Sequence, residues 1–170
     1  MAAPTASTLI DAVNKRDERV ETVPRGEVLM RGQNFRTAHV FILSSNRSLL
    51  LQQLAPQRER HPGRWGSSVA AYLFAGESYL RAASRRMQEE LGLVAPIERV
   101  GKMEMRDARS LKFVSLFLCR SDGGEIREPD HISQLAYWPI EQIEMGINRE
   151  PNIFTPTFVN LFKTFGDQLQ

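Results

Sequence analysis

Residues Ala71–Leu93 read AYLFAGESYLRAASRRMQEELGL, and this stretch decides the fold. Its second half has the marks of a helix over Ser78–Leu91. Ser78 follows Glu77 as an N-cap, and Gly92 supplies the C-terminal stop. Leu80, Ala83, Met87 and Leu91 recur at spacings of three and four, which gives the helix one apolar stripe. Positions 86 and 90 lie four apart, so their side chains stack on one face, with position 89 on the neighbouring edge. That face carries Arg86, Glu89 and Glu90.

Working outward, Ser67–Leu73 reads as a strand, preceded by the loop Ala55–Gly66 with Pro56, Pro62, Gly63 and Gly66. His39–Leu43 and Ser48–Leu54 are apolar strands on either side of the turn Ser44–Arg47. Leu9–Val13 and Arg19–Val23 flank the charged stretch Asn14–Glu18 as a hairpin, which makes residues 9–38 an N-terminal extension; the small, polar residues 1–8 are expected to fray. Downstream, Glu98–Met105 and Leu111–Cys119 are strands, and Leu135–Pro139 is a short one. Ile140–Ile147 and Pro156–Phe165 close the chain as helices, the second with Thr155 as N-cap and Pro156 at its first position. The pattern predicts one α/β domain over residues 1–170, with a mixed sheet and helices packed against it.

Composition excludes several classes. The 170 residues are 42% hydrophobic, enough for one full core. The 22 basic and 20 acidic residues are evenly spread, which argues against nucleic acid as a partner. Cys119 is the single cysteine, so neither a disulfide nor a multi-cysteine metal site forms within the chain. The N-terminus lacks a cationic start and an apolar core, and no apolar run reaches the roughly 20 residues of a membrane span. A soluble cytoplasmic domain is the expectation.

The opening stretch resembles the Nudix box, G-x5-E-x7-R-E-U-x-E-E-x-G-U with U apolar. Glu77, Arg85, Met87, Glu89, Glu90, Gly92 and Leu93 match it in register, whereas Ala71 stands at the opening Gly and Arg86 at a Glu. The resemblance implies a Nudix-type α/β/α sandwich with a mixed central sheet and the box helix packed against it. It also implies a diphosphate hydrolase that uses Mg²⁺ or Mn²⁺, with Glu89 and Glu90 as metal ligands and catalytic carboxylates, and with Glu77 and Arg85 as an ion pair supporting the box loop. In such chemistry the metal bridges phosphate oxygens and neutralises developing charge. Arg86 works against metal binding, because it stays protonated and pairs with Glu90 one turn on. Either it is a surface pair worth about 0.2–0.5 kcal/mol, or its guanidinium takes over part of the metal's charge and leaves metal binding weak or absent.

Within the superfamily, HPGRWGSSVAAYLFAGESYLRAASRRMQEELG is similar to the isopentenyl-diphosphate-isomerase-like branch, as are VPRGEVL and FTPTF. The residues that isomerisation needs are replaced. Ala70 stands for the catalytic Cys, Ala71-Tyr72 for a Gly-His pair, and Phe35 for a metal-binding His, and no acidic pair lies around Lys112-Phe113. Isomerase activity is therefore not expected.

Candidates for a missing base are Glu104 and Asp107 after the box helix, or Asp130, His131 and Gln134 further on, each also readable as a solvated residue. Arg58, Arg60 and Arg64, with His61, form a basic loop able to meet substrate phosphates, and Tyr72, Trp65, Phe74 and Tyr137 are aromatics able to stack or to fill core. His39 reads first as a hydrogen-bonded sheet residue and Cys119 as inert. The implied ligand is a phosphorylated small molecule, such as a diphosphate linked to a nucleoside. A catalytically inactive ligand-binding or interaction module is the alternative. Phe154, Phe158, Phe162 and Phe165 either pack the core or offer a homodimer surface.

Overall fold

Two strands that begin side by side and then part determine the architecture. In the computed structural model, residues 5–169 are described. The strands are β1 (Leu9–Val13), β2 (Arg19–Pro24), β3 (Phe35–Leu43), β4 (Ser48–Leu54), β5 (Trp65–Gly66), β6 (Val69–Tyr72), β7 (Ile97–Asp107), β8 (Ser110–Arg120) and β9 (Ile132–Pro139). The helices are α1 (Arg25–Arg31), α2 (Tyr79–Leu91), α3 (Ile140–Arg149) and α4 (Pro156–Phe165).

β3 pairs with β8 in parallel along its whole length, from Phe35 opposite Lys112 to Leu43 opposite Arg120. On its other edge β3 meets β4 only at Leu43 and Leu49, beside their connecting turn. Beyond that point the two strands diverge. β6 pairs with β3 from Thr37 to Val40, and β5 pairs with β4 at Gln52 and Gln53. The segment Trp65–Tyr72 thus crosses from one strand to the other. At the crossing, the buried Ser68 hydroxyl accepts from the Ile42 N–H at 2.8 Å and donates to the Leu50 carbonyl. One side chain thereby satisfies both of the backbone groups that the divergence exposes.

Strand alternation gives the sheet two apolar faces. Ala38, Val40, Ile42, Phe117 and Cys119 pack against Ala82, Ala83, Met87 and Leu91 of α2. Phe41, Leu43, Val114, Leu116 and Leu118 pack against α3 and α4. This is the α/β/α sandwich expected. The four phenylalanines of the C-terminal segment are core residues: Phe158 lies 5.5–5.9 Å from the rings of Phe41, Phe154 and Phe162, and Phe165 is buried with them.

Several local expectations need correction. Leu80 is 51% exposed and does not belong to the buried stripe of α2, whose place is taken by Ala82 and, unexpectedly, Arg86 and Glu90. β3 starts at Phe35 and not at His39, because the parallel ladder with β8 extends it. β9 starts at Ile132 because it pairs with Leu54 of β4. Helix α1 had no sequence signal. It is seven residues long, lacks a side-chain cap, and is fastened by bonds from the Arg25 and Gly26 N–H groups to the Thr8 and Ala6 carbonyls. Within the segment expected to fray, Thr5, Ala6 and Thr8 take part in hydrogen bonds, while residues 1–4 lie outside the described residues. In the N-terminal hairpin, the turn residue Asp17 accepts from Arg36 at 2.5 Å, from the Tyr79 hydroxyl at 2.7 Å and from Lys102, which ties the hairpin to β3, α2 and β7. Among the described residues no helix is long and apolar enough to cross a membrane.

Ser68→Ala leaves a buried N–H and a buried carbonyl without a partner. It should cost about 2–4 kcal/mol, read as a lower urea midpoint with an unchanged slope. A loss under about 0.5 kcal/mol would mean that the crossing does not hold the strands apart.

Candidate functional site

The parting of β3 and β4 opens a cavity of about 450 Å³. Thr37 and His39 of β3, Gln52 of β4, Lys112 of β8 and Thr157 of α4 line its floor. Arg58, Arg60 and His61 reach it from the 55–64 loop, and Arg86 and Glu90 reach it from α2. Ala70, Ala71 and Tyr72 of β6 complete one wall, and Asp130 and His131 another. The ligand-sized volume and mixed polar lining suit a small-molecule pocket.

α2 delivers its charged face to this cavity. Arg85 donates to both oxygens of Glu77, at 2.8 and 2.9 Å, and to the Tyr72 carbonyl at 3.1 Å, with its guanidinium 3.6 Å above the Phe74 ring. Glu77 and Arg85 thus form an ion pair, as the box resemblance implies. Glu77 also accepts from the Phe74 N–H at 2.9 Å, closing the loop ahead of the helix.

Arg86 is not a surface residue. It is 3% exposed and surrounded by three carboxylates. Nε donates to Glu90 Oε1 at 3.2 Å; Nη1 donates to Glu89 Oε2 at 2.8 Å and Glu128 Oε1 at 3.0 Å; Nη2 donates to Glu90 Oε1 at 2.6 Å and Glu128 Oε2 at 3.0 Å. A guanidinium has five N–H groups, and all five are used. Burial opposes the charge on Arg86, but Glu90, Glu128 and Glu89 outweigh it and push its pKa up. Burial raises the Glu90 carboxyl, while Arg86 and a 3.0 Å bond from Gln52 Nε2 hold that rise back. The group stands as a buried ion cluster.

This arrangement does not fit a divalent ion at Glu89 and Glu90. Both Glu90 oxygens have donors, Glu89 Oε2 is shared by Arg85 and Arg86, and only Glu89 Oε1 is buried without a partner. Mg²⁺ holds its ligands at about 2.1 Å, whereas these carboxylates are spread around a planar cation. Among the described residues no three His, Cys, Asp or Glu side chains converge closely enough to hold a metal ion.

The remaining predicted residues divide. Arg58, Arg60, His61, Tyr72, Asp130 and His131 line the cavity, and Arg64 does not. Arg64 lies at the loop's return to β5, where its carbonyl accepts from Leu54. Glu104 is exposed on β7 beside Lys15 and Arg106, away from Glu89 and Glu90, so the structure does not bring it to the site. Asp107 is tied to Arg60 through both oxygens and lies 3.2 Å from Lys112 Nζ, which also donates to Thr157 at 2.6 Å. Burial works against the Asp107 carboxylate, but Arg60 and Lys112 hold it below the usual range. Tyr137 bonds the Ser121 and Gly123 carbonyls, and Trp65 packs on Trp138 at 5.3 Å, so neither is placed to stack on a ligand. Tyr72 stacks on Phe35 at 5.6 Å with Arg25 over its ring. Cys119 is buried, which pushes its thiol pKa up.

Sequence reasoning missed Glu128 and Gln52. The acid facing the box helix was sought at Asp130, His131 and Gln134; the loop instead presents Glu128, just before Pro129, and bonds from the Glu125 and Arg127 N–H groups to the Leu91 and Glu90 carbonyls set that register. Gln52 carried no signal beyond being a polar residue inside an apolar strand.

Residues 33–158 match the family described as NUDIX domain. The chain is 28% identical over 159 residues to an isopentenyl-diphosphate Delta-isomerase of Serratia proteamaculans, covering 91% of this chain and 89% of that protein. It is 28% identical over 132 residues to a Nudix hydrolase of Deinococcus radiodurans, covering 73% and 74%. Among solved structures, DR0079 of Deinococcus radiodurans superposes with a TM-score of 0.82 at 21% identity, covering 92% of this chain and 98% of that one. Where the isomerase branch places a thiol and two imidazoles, Ala70, Tyr72 and Phe35 line this cavity.

His39 provides a test of the floor. Its Nδ1 lies 2.8 Å from Ser67 Oγ, and burial, with Lys112 nearby, pulls its pKa down to about 3. Below the unfolded value of about 6.5 the unfolded chain takes up a proton that the folded His39 refuses, so stability falls as pH falls through that window. His61 and His131 are shifted the same way, first by burial. His39→Gln is neutral in both states. Between pH 7 and pH 5 it should lose less stability than the wild type, by up to about 2 kcal/mol. Equal losses in urea titrations at the two pH values would show that His39 is not held neutral.

Proposed function

Because the chain belongs to the NUDIX-domain family, we propose that the cleft between β3 and β4 binds a phosphorylated small molecule through Arg58. The observation that carries this reading is Arg58 itself. It lines the cavity half-buried, and among the described residues its guanidinium forms no hydrogen bond or ion pair. Burial lowers its pKa, and the attraction of Glu90 does not restore it. A phosphate oxygen placed beside it would supply the missing counter-charge, in the bidentate geometry that guanidinium and phosphate share. The other cavity cations are engaged: Arg60 and Lys112 with Asp107, and Arg86 with its three glutamates. Arg25, which lines the cavity with its guanidinium over the Tyr72 ring, is the second cation placed to meet the ligand.

The family's hydrolysis of diphosphates, dependent on Mg²⁺ or Mn²⁺ with Glu89 and Glu90 as ligands and a nucleoside-diphosphate-linked substrate, is the second reading. The unpartnered Glu89 Oε1 favours it, as does the name of the Deinococcus relative. The saturated Arg86 cluster opposes it.

Calorimetric titration with ADP-ribose, ADP and inorganic pyrophosphate tests the first reading. The wild type should bind at least one of the three, and Arg58→Gln should weaken that binding about tenfold or more, the equivalent of one charge-assisted hydrogen bond. Binding unaffected by Arg58→Gln, or no binding of any of the three, would overturn it. Cleavage of ADP-ribose to AMP and ribose 5-phosphate that requires added Mg²⁺ would favour the second reading.

A further inference from the structure

We propose that the Arg86 guanidinium is the resident cation of the box helix: it occupies the place of a divalent metal among Glu89, Glu90 and Glu128, so that the wild-type site takes up neither Mg²⁺ nor Mn²⁺. Three observations carry this beyond an ordinary ion pair. All five N–H groups of Arg86 are spent on carboxylates, so its function is directed inward and none is left for a ligand. Of the six carboxylate oxygens of Glu89, Glu90 and Glu128, five accept from Arg85, Arg86 or Gln52, so Glu89 Oε1 is left without a second free oxygen beside it to share an ion. Lastly, Arg86 binds both oxygens of Glu128, whose loop meets α2 again through the Arg127 N–H and the Glu90 carbonyl.

The guanidinium therefore does two jobs that a bound metal ion does. It cancels charge among carboxylates taken out of water, which otherwise repel strongly at low dielectric. It also crosslinks the helix to the 125–131 loop, which brings Asp130 and His131 to the cavity wall. It does so with one charge in place of two and with a planar fork in place of an octahedral shell, and among the described residues no three carboxylates or imidazoles are grouped to hold an ion.

The test is made without any phosphorylated ligand, so its outcome is separate from that of the binding experiment on Arg58. Mn²⁺ titrations are followed by electron paramagnetic resonance and by thermal denaturation. The wild type should leave Mn²⁺ free into the low-millimolar range and should melt at the same temperature in Mn²⁺ and in chelator. Arg86→Glu should gain Mn²⁺ affinity by at least about tenfold and should melt higher with Mn²⁺ than without. Submillimolar Mn²⁺ binding by the wild type overturns the proposal, as does a folded Arg86→Glu protein that ignores the metal. Should Arg86→Glu fail to fold in chelator, it is refolded in Mn²⁺, and recovery of the fold there supports the proposal. Absence of recovery moves the decision to Arg86→Gln, which must bind Mn²⁺ at least about tenfold more tightly than the wild type; no gain overturns it.

Discussion

The site depends on one geometric constraint, the divergence of β3 and β4 just past their turn. Paired along their full length, the two strands would close the sheet, and the cleft would not exist. Their separation leaves backbone groups without sheet partners at the heart of the protein, a cost no buried segment sustains unless the groups find others. Ser68 supplies both partners from a single hydroxyl, and the short strands β5 and β6 take over the remaining edges. The cavity floor then consists of residues that a continuous sheet would have covered, including Thr37, His39 and Gln52.

Charge around this opening is arranged in two tiers. Deep in the wall, the guanidiniums of Arg85 and Arg86 face the carboxylates of Glu77, Glu89, Glu90 and Glu128, each held by direct hydrogen bonds. Ion pairs this far from water gain little net stability, because desolvation offsets their attraction, yet losing one partner is costly. Such a cluster fixes geometry more than it adds stability. Among the described residues, Arg58 lines the same cavity without a side-chain hydrogen bond or ion pair, and burial lowers its pKa despite the attraction of Glu90. Two guanidiniums that line one cavity thus differ, one spent wholly within the protein and the other not.

Much of this was legible in the sequence and some was not, for physical reasons. The caps Ser78 and Thr155, the stop at Gly92 and the apolar periodicity of the strands act locally, so α2, α4 and most strands could be placed from neighbouring residues alone. The pairing of Glu77 with Arg85 came from the resemblance to the box motif and not from a local rule, although both residues lie within one loop-helix unit. What escaped depends on long-range pairing. The extension of β3 to Phe35 requires β8, and the start of β9 requires β4. Glu128 reaches Arg86 across 42 positions through a loop whose path no local rule specifies. Glu104 failed as a candidate because its strand places it on a different surface from α2's carboxylates. Leu80, at a plausible helical spacing, lost its place in the core to charged residues, an exchange that apolar periodicity does not anticipate.

The parallel ladder between β3 and β8 also sets an order of assembly. Its partners are separated by 77 positions, from Phe35 and Lys112 onward, whereas the β7–β8 hairpin and the β6–α2 unit close over short spans. Loop closure over a long span is entropically costly and must precede the contacts that reward it. As the chain leaves the ribosome, β3 can meet β4 at once and β6 soon after, but its longest edge waits until residue 120 has emerged. The cleft is therefore a late product of folding, and until then the apolar strand Phe35–Leu43 is an open edge exposed to other chains.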